Sequence, residues 1–387
     1  MESISLCPQA GICGGCSYQG ISYEDQLKEK DAFLKQLLEE VPCDCHYTGI
    51  LSGKKILEYR NKMEFSFGDS CKGGPLQLGM HRKKSFYDIV TAEECQIVDE
   101  DYRKIVKFAQ RFFSERGTSY FHKKTHRGFL RHLLIRKGLH TGEILVGLVT
   151  SSQGELEKQA FVSGLLELAL QGKIVSILHI LNDSLSDAVK NDSTEVLYGQ
   201  DYFTEKLLGL TFKISPFSFF QTNSYGAEVL YDTVRSFAEG FKCRTMYDLY
   251  SGTGTIAQIL STVADEVVGV EIIEEAVGAA RENARMNGLD NCRFIAGDVA
   301  EVMDSLDSTP ELIIIDPPRE GIQPKAIRKI LGFDAENLIY VSCNPKSLVR
   351  DLKILTANGY EVVKTTAVDE FPFTANLETV CLVKKIK

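Results

Sequence analysis

The alternation of hydrophobic and polar positions changes its period near Ser215 in this 387-residue chain. Beyond that point, short apolar runs alternate with stretches of helical period, which predicts parallel strands joined by helices. Two strands near the C-terminus, at about Tyr360 to Thr365 and Glu378 to Val383, have only a short link and are expected to pair as an antiparallel hairpin. The other strands are expected at residues 246–250, 267–271, 292–295, 312–315 and 338–342.

The first 215 residues follow a different pattern. Tyr23 to Val41 places apolar residues at helical spacing, which predicts an amphipathic helix. Alternating stretches such as Lys62 to Phe67 lie between turn signals and predict a β-rich region with one helix at Glu155 to Leu170. The chain is therefore expected to be an α/β protein with an N-terminal cysteine segment and helix at 1–45, a central β-rich domain at 46–215 and a C-terminal domain at 216–387.

Composition argues for a globular protein in the cytoplasm. Hydrophobic residues make up 44% of the chain and charged residues 25%, an ordinary balance for a folded protein. No apolar run approaches the roughly 18 residues that a membrane span needs. Residues Met1 to Gln9 lack the basic and apolar regions of a secretory signal. We therefore expect a cytoplasmic protein with no membrane partner.

The net charge of −9 excludes a global basic field for nucleic acid, so RNA or DNA would need a local basic surface. Two stretches offer one: His81 to Lys84, and His122 to Lys137, which contains six Lys and Arg residues and no acid. Phe121 and Phe129 lie beside the second stretch and are expected to stack on unpaired bases. The alternative is an ordinary solvated charged surface.

The cysteine pattern near the N-terminus indicates a metal site. In a cytoplasmic chain, eleven cysteines favour metal binding or catalysis over disulfides. Cys7, Cys13 and Cys16 occur close together, and the glycines at 14 and 15 allow a tight turn. Four ligands are usual, so a fourth must come from Cys43, Cys45, Cys71 or Cys95. Spacing alone leaves structural zinc, an iron–sulfur cluster and free thiols open.

A glycine-rich turn, Ser251 to Thr255, follows the first strand of the C-terminal domain, and Glu271 ends the second. A glycine turn with an acid at the next strand end fits a dinucleotide or S-adenosylmethionine. Asp298 and Asp316 follow later strands at the same expected cleft, there is one nucleotide-binding half, and the sheet ends in a hairpin. These features favour S-adenosylmethionine.

Cys343 follows the fifth strand and would lie at the mouth of that cleft, although a cysteine there is also compatible with a small core residue. Asp316-Pro317-Pro318-Arg319 resembles the Asp-Pro-Pro-aromatic loop of amino-methyltransferases, but Arg319 replaces the aromatic residue, which argues against an amine substrate. Cys343 is then the natural nucleophile. A thiolate that adds to C6 of uracil makes C5 nucleophilic, and Glu378 is the candidate base that removes the C5 proton. Alternatively, Glu378 is a carboxylate on the surface of a strand with no role in the reaction.

Together these residues resemble the RNA uracil-C5 methyltransferase family over nearly the whole chain. The matching stretches are Phe219 to Asn223, Asp248 to Gly254, Asp316 to Gly321, Val341 to Pro345 and Leu377 to Thr379. The resemblance implies a Rossmann-like methyltransferase domain with Cys343 as nucleophile and Glu378 as base. It implies contacts to S-adenosylmethionine from Gln221, Tyr250, Glu271, Asp298 and Asp316. Tyr250 and Thr255 stand where relatives often have Phe and Asn, and Phe373 replaces a common His.

The cysteines resemble those of the branch that acts on 23S rRNA, which implies a [4Fe-4S] cluster held by Cys7, Cys13, Cys16 and Cys95. The branch that acts on the tRNA T-loop lacks them, so 23S rRNA is the expected partner. Because Cys7 is so close to the first residue, the small RNA-binding β-barrel of some rRNA enzymes is not expected. A monomer is the simplest expectation. The alternatives are a tRNA enzyme, an iron–sulfur oxidoreductase and an rRNA-binding assembly factor without turnover.

Overall fold

The computed structural model describes residues 7–186, 191–306 and 309–386, and within them the chain forms two large sheets and one two-stranded hairpin. The strands are β1 (Tyr47–Ser52), β2 (Lys62–Asp69), β3 (Leu76–His81), β4 (Ile89–Thr91), β5 (Leu130–Lys137), β6 (Glu143–Thr150), β7 (Lys173–Leu181), β8 (Ser193–Gly199), β9 (Phe203–Leu207), β10 (Leu210–Ile214), β11 (Cys243–Leu249), β12 (Ala264–Glu271), β13 (Cys292–Ala296), β14 (Leu312–Ile315), β15 (Asn337–Ser342), β16 (Tyr360–Asp369) and β17 (Glu378–Lys385). The α-helices are α1 (Tyr23–Leu38), α2 (Glu100–Glu115), α3 (Lys158–Leu166), α4 (Ser224–Phe237), α5 (Thr255–Ile259), α6 (Glu274–Met286), α7 (Val299–Val302), α8 (Pro324–Gly332) and α9 (Pro345–Ala357).

The eight-stranded sheet has the order β1-β16-β17-β15-β14-β11-β12-β13. Strand β17 runs antiparallel to both of its neighbours, and the other strands are parallel to one another. The carboxyl ends of seven strands and the first residue of β17 therefore lie at one edge of the sheet. In open α/β sheets this is the edge at which ligands bind.

Both faces of this sheet are covered, which explains why its strands read as continuous apolar runs. Ile314 faces the core formed with α4 and α6, whereas Ile313 and Ile315 face the core formed with α1, α8 and α9. All three are fully buried. The period-2 alternation thus supplies two hydrophobic layers from one sequence run.

The seven-stranded sheet has the order β4-β3-β2-β5-β6-β7-β8, and β9 and β10 form the separate hairpin. Helices α2 and α3 pack on the seven-stranded sheet through an aromatic cluster in which Phe113 and Phe161 are close neighbours. Residues 46–215 are β-rich as expected, but α2 was not predicted. Its apolar residues recur at helical spacing, and its N-cap Asp99 accepts a hydrogen bond from the amide of Asp101.

The predicted parallel strands and the C-terminal antiparallel hairpin are confirmed. One strand joins a different sheet from the one expected. Strand β1 belongs to the predicted central domain, but it pairs with β16 in the eight-stranded sheet, where Tyr47 lies opposite Thr365. A six-residue alternating strand carries no information about which sheet edge it joins. The division into three domains itself stays a prediction. Among the described residues, no helix is long and apolar enough to cross a membrane.

Candidate active site

The register of three neighbouring strands brings the predicted nucleophile and base together. Ser342, the last residue of β15, pairs with Thr379 of β17. Cys343 directly follows β15 and Glu378 is the first residue of β17, so this antiparallel register places them side by side at the ligand-binding edge. Asp316 follows β14, the strand on the other side of β15.

The Cys343 turn is fixed by the residues that follow it. The Asn344 side chain accepts a hydrogen bond from the amide of Lys346 and caps α9, and Pro345 occupies the first helical turn. Asn344 Nδ2 also donates to the Arg319 carbonyl at 2.8 Å, and Ser347 Oγ donates to the same oxygen at 3.0 Å. These bonds hold the loop after β14 against the turn that carries the thiol.

Burial and nearby acids keep the thiol protonated in this structure. Cys343 is partly buried, and desolvation, followed by the charges of Glu378 and Asp316, raises its pKa to about 11. The positive charge of Arg319 acts in the opposite direction. Activation of the thiol therefore requires positive charge near the sulfur.

Glu378 is a buried carboxyl with only 4% of its surface exposed. Desolvation and the negative charge of Asp316 raise its pKa to about 8, and Arg319 opposes this shift. Burial raises the pKa of Asp316 to about 7. A carboxyl with a pKa near neutrality is suited to accept and release a proton during a reaction.

A pocket opens beside this edge at the glycine-rich turn. Its lining comes from the segment before α4, from α4, from the end of β11 through the start of α5, and from the residue after β14: Phe219, Phe220, Gln221, Tyr231, Asp248, Tyr250, Ser251, Gly252, Thr253, Thr255, Ile256 and Asp316. Tyr250 has a positive φ of 66°, which is unusual for a residue with a side chain and typical of functional sites. At Gly254 an added Cβ would lie 2.5 Å from the Phe294 ring, so the turn requires glycine there.

The predicted cofactor contacts divide into two groups. Gln221, Tyr250 and Asp316 line the pocket directly. Glu271 lies at the end of β12, where its carboxylate accepts from the amides of Gly252 and Ile273. The fifth residue, Asp298, caps α7 by accepting from the amide of Ala300, and it acts electrostatically on Tyr250. Glu271 and Asp298 therefore lie beside the pocket and hold the turns next to it in place.

Sequence reasoning missed two buried carboxyls near the pocket. Asp248 accepts from the amide of Ala257 at 2.9 Å, and burial raises its pKa to about 8. Glu370 follows β16 and is fully buried. An acid inside an apolar strand, as in Met246-Tyr247-Asp248-Leu249, was the signal for the first. Glu370 follows Asp369 in an ordinary-looking loop and gave none.

The four cysteines predicted to bind metal influence one another through space. Desolvation raises the pKa of Cys16 to about 11 and that of Cys95 to about 12, and each is raised further by neighbouring thiols that include Cys7. The Cys13 sulfur accepts from the amide of Gly15 at 3.3 Å. Within the described residues, however, no group of three or more His, Cys, Asp or Glu side chains is arranged as a metal site. The iron–sulfur cluster stays a prediction.

Much of the predicted basic stretch at 122–137 is structural. Phe121 and Phe129 are 9% and 3% exposed, so the expectation that they stack on bases is wrong. Arg136 donates to the carbonyls of Ser215, Pro216 and Ser218, and Lys137 contacts Asp99 and Asp101. These side chains belong to or flank β5, which lies inside the seven-stranded sheet.

The exposed basic residues come from two turns that lie side by side. Arg82, Lys83 and Lys84 are exposed in the turn at 82–87, and Lys124 and Arg127 in the turn at 122–127. The same turns expose aromatic rings: Phe86 is 67% exposed and Tyr87 is 46% exposed. The Lys123 and Lys124 ammonium groups lie 4.8 Å and 4.7 Å from these two ring centroids. We call this surface the aromatic–basic surface.

Comparison with known proteins gives one consistent result. Residues 22–386 match the family described as tRNA (uracil-5-)-methyltransferase. An uncharacterized RNA methyltransferase of Clostridium tetani is 49% identical over 375 residues, covering 97% of this chain and 82% of that protein. A second one, of Caldanaerobacter subterraneus, is 47% identical over 99% of this chain and 85% of that protein.

Among solved structures, a tRNA (uracil-54, C5)-methyltransferase of Pyrococcus abyssi in complex with S-adenosyl-L-homocysteine superposes with a TM-score of 0.80. It shares 28% identity, and the match covers 96% of this chain and 86% of that one. The similarity therefore extends through both large sheets.

Proposed function

The chain belongs to the tRNA (uracil-5-)-methyltransferase family, and we propose that it methylates C5 of a uridine in 23S rRNA through a covalent adduct on Cys343. The observation that carries the chemistry is that Cys343 and Glu378 lie at the adjoining ends of the paired strands β15 and β17, next to Asp316 and the pocket. The observation behind the choice of rRNA is the cysteine set Cys7, Cys13, Cys16 and Cys95, since the resemblance associates it with the rRNA branch.

The proposed reaction needs a thiolate that attacks uracil C6 and a base that removes the proton from C5. The Cys343 thiolate forms a bond to C6, and the π electrons move to C5 and its conjugated carbonyl. S-adenosylmethionine would supply the methyl group: C5 bonds to the methyl carbon as the methyl–sulfonium bond breaks, and S-adenosylhomocysteine leaves. Glu378 then accepts the C5 proton, the C5–H electron pair restores the C5–C6 double bond, and the C6–S bond breaks to release the thiolate.

Arg319 provides positive charge for this site. Its charge lowers the pKa of both Cys343 and Glu378, which favours the two ionised forms that the reaction uses. Its Nη2 donates to the Asn376 side chain at 3.1 Å, which links the loop after β14 to the loop before β17. We assign Arg319 the role of holding these two loops together and stabilising the thiolate.

The pocket residues fit S-adenosylmethionine. Gln221 and Tyr250 present polar and aromatic groups to the pocket, and Asp316 places a carboxyl beside the Cys343 edge. We propose that Glu271 and Asp298, which stand beside the pocket, complete the cofactor contacts. Acidic residues at strand ends in this position commonly bind ribose hydroxyls.

The RNA partner is proposed to contact the aromatic–basic surface. Exposed rings stack on unpaired bases, and Lys and Arg neutralise phosphates. The cysteine segment connects this surface to the active site: the amide of Gly14 donates to the His81 carbonyl, and the amides of Ser17 and Tyr18 donate to the Phe373 carbonyl in the loop before Glu378. We propose that a [4Fe-4S] cluster on the four cysteines stiffens this connection.

A test of the substrate is nucleoside mass spectrometry on 23S rRNA and tRNA from cells that lack 5-methyluridine, each incubated with S-adenosylmethionine and anaerobically purified protein. We expect new 5-methyluridine in 23S rRNA only. Product in tRNA alone would keep the chemistry and reject the rRNA assignment; the tRNA enzyme of Pyrococcus abyssi makes this the second candidate. Iron content of the same sample controls for loss of the cluster.

A further inference from the structure

Glu370 is a fully buried carboxyl that the proposed mechanism does not use. Its exposure is 0%, and neither carboxylate oxygen has a hydrogen-bond partner among the described residues. A buried carboxyl without a partner destabilises the folded state. Its backbone is held in place, because its carbonyl accepts from Asn223 Nδ2 at 2.6 Å. Such a residue is expected where function requires it.

The strand register places Glu370 beside the base. Val368 pairs with Glu378, so their side chains point to the same face of the sheet. Glu370 is two residues beyond Val368, so in extended backbone its side chain points to the same face. Helix α4 covers it there: a Cβ at Gly226 would lie 2.7 Å from Glu370 Cγ. Glu370 and Glu378 are thus diagonal neighbours under one helix.

The electrostatic surroundings keep Glu370 neutral when Glu378 ionises. Desolvation raises the pKa of Glu370 well above its ordinary value, and the charge of Glu378 raises it further. The charged and titratable groups that act on this pair come from every adjoining element: Asp316, Arg319, Cys343, Arg60, Asp369 and Tyr231. A neutral carboxyl next to an ionised one carries a hydrogen that it can donate.

We propose that Glu370 is a positioning residue that donates a hydrogen bond to the Glu378 carboxylate and so favours the ionised form of this buried base. The inference rests on the proposed function, in which Glu378 takes the C5 proton. The pair holds one proton before that step and two after it. Once the product leaves, Glu378 returns one proton to solvent, and the hydrogen on Glu370 never leaves the pair. The carboxyl pairs of aspartic proteases share protons on the same principle.

The test isolates the step that uses the base. Substrate RNA is loaded until the methylated Cys343 adduct forms, the pH is changed, and the rate of release of 5-methyluridine RNA is measured across pH. The variants are Glu370→Leu, Glu370→Gln and, as a second apolar variant, Glu370→Met. Thr379→Val is the matched control, because Thr379 lies on the adjacent strand and its buried Oγ1 also has no hydrogen-bond partner in the described part of the chain.

We expect the midpoint of the release profile to move to higher pH by about one unit in Glu370→Leu and Glu370→Met, which is about a tenfold slower release at neutral pH. Glu370→Gln is expected to restore the profile because its amide also donates, and Thr379→Val to match the wild type. An unchanged midpoint, or a shift to lower pH, in both apolar variants would reject the proposal. Absence of any adduct in the wild type would instead reject the proposed function.

Discussion

At the scale of single residues, burial of polar groups dominates the active site. Asp316, Glu378 and Cys343 have pKa values of about 7, about 8 and about 11, and in each case desolvation is the largest cause. The positive charge of Arg319 lowers the pKa values of Cys343 and Glu378. The chemistry therefore depends on how much charge this guanidinium places near the sulfur.

Removal of that charge gives the first prediction. Arg319→Ala is expected to slow methylation at neutral pH by roughly 10- to 100-fold, because the pKa of Cys343 and that of Glu378 both rise. Raising the pH should recover part of the loss. Arg319→Lys keeps a positive charge and should retain more activity. Initial rates from pH 6.5 to 9.5 test this, and equal rates for Arg319→Ala and the wild type would contradict it.

The motif residues Cys343, Glu378 and Asp316 could be chosen from the sequence because each follows or begins an apolar run. Glu370 could not, because its importance depends on a register two strands away from Cys343 and on a glycine in α4. The same limit applies to Phe121 and Phe129. Their positions beside a basic run suggested exposure, whereas the turns place both rings in the interior.

Among the secondary-structure elements, helix α1 is attached to the active-site edge through a buried ion pair. Lys30 Nζ lies 2.5 Å from Asp369 Oδ1, and the two side chains are 2% and 0% exposed. Asp369 ends β16 and immediately precedes Glu370. The N-terminal helix therefore braces the strand end on which the carboxyl pair depends.

Breaking this ion pair is expected to destabilise the protein. Lys30→Met leaves Asp369 buried and unpaired, and the free energy of unfolding should fall by about 3–5 kcal/mol. Lys28→Ala, which removes an exposed lysine on the same helix, should leave it unchanged. Urea denaturation measures both. Equal stability of Lys30→Met and the wild type would show that the buried pair has no role in holding α1.

The two exposed turns make a prediction about RNA binding. Replacing Phe86 and Tyr87 together by Ala removes two stacking surfaces, each worth about 1–3 kcal/mol. RNA affinity should fall at least tenfold, while the affinity for S-adenosylmethionine stays the same. Tyr198→Ala, on β8, controls for loss of an exposed ring. RNA affinity that is unchanged in the double variant would place the RNA elsewhere.

In the whole molecule, hydrophobic periodicity was enough to predict the parallel strands of the C-terminal part, because both faces of the eight-stranded sheet are buried and its strands are continuous apolar runs. The pairing of β1 with β16 could not be predicted in this way, because the pattern of a short strand fits either sheet. Helix α2 was overlooked inside a region dominated by alternating strands. The connection from the cysteine segment through Phe373 to Glu378 depends on backbone hydrogen bonds, which cannot be predicted from the pattern of side chains.

The buried acids also make the stability of the cofactor-free protein depend on pH. Asp248, Asp316 and Glu378 have folded-state pKa values above those of the unfolded chain, so the folded state binds more protons. Their contribution to stability is present in full below the unfolded pKa and is lost as pH rises toward 8. Tm should therefore fall between pH 6 and pH 8.5. Calorimetry without cofactor checks this, and a rising Tm would contradict it.

Trapping Cys343 on RNA tests the proposed reaction most directly. Transcripts of 23S rRNA and tRNA that contain 5-fluorouridine are incubated with the protein and S-adenosylmethionine, and the adduct is digested and mapped by mass spectrometry. We expect a cofactor-dependent adduct on the peptide that carries Cys343, lost in Cys343→Ala and retained in Glu378→Gln. An adduct on another cysteine, or none on either RNA with iron-replete protein, would contradict it.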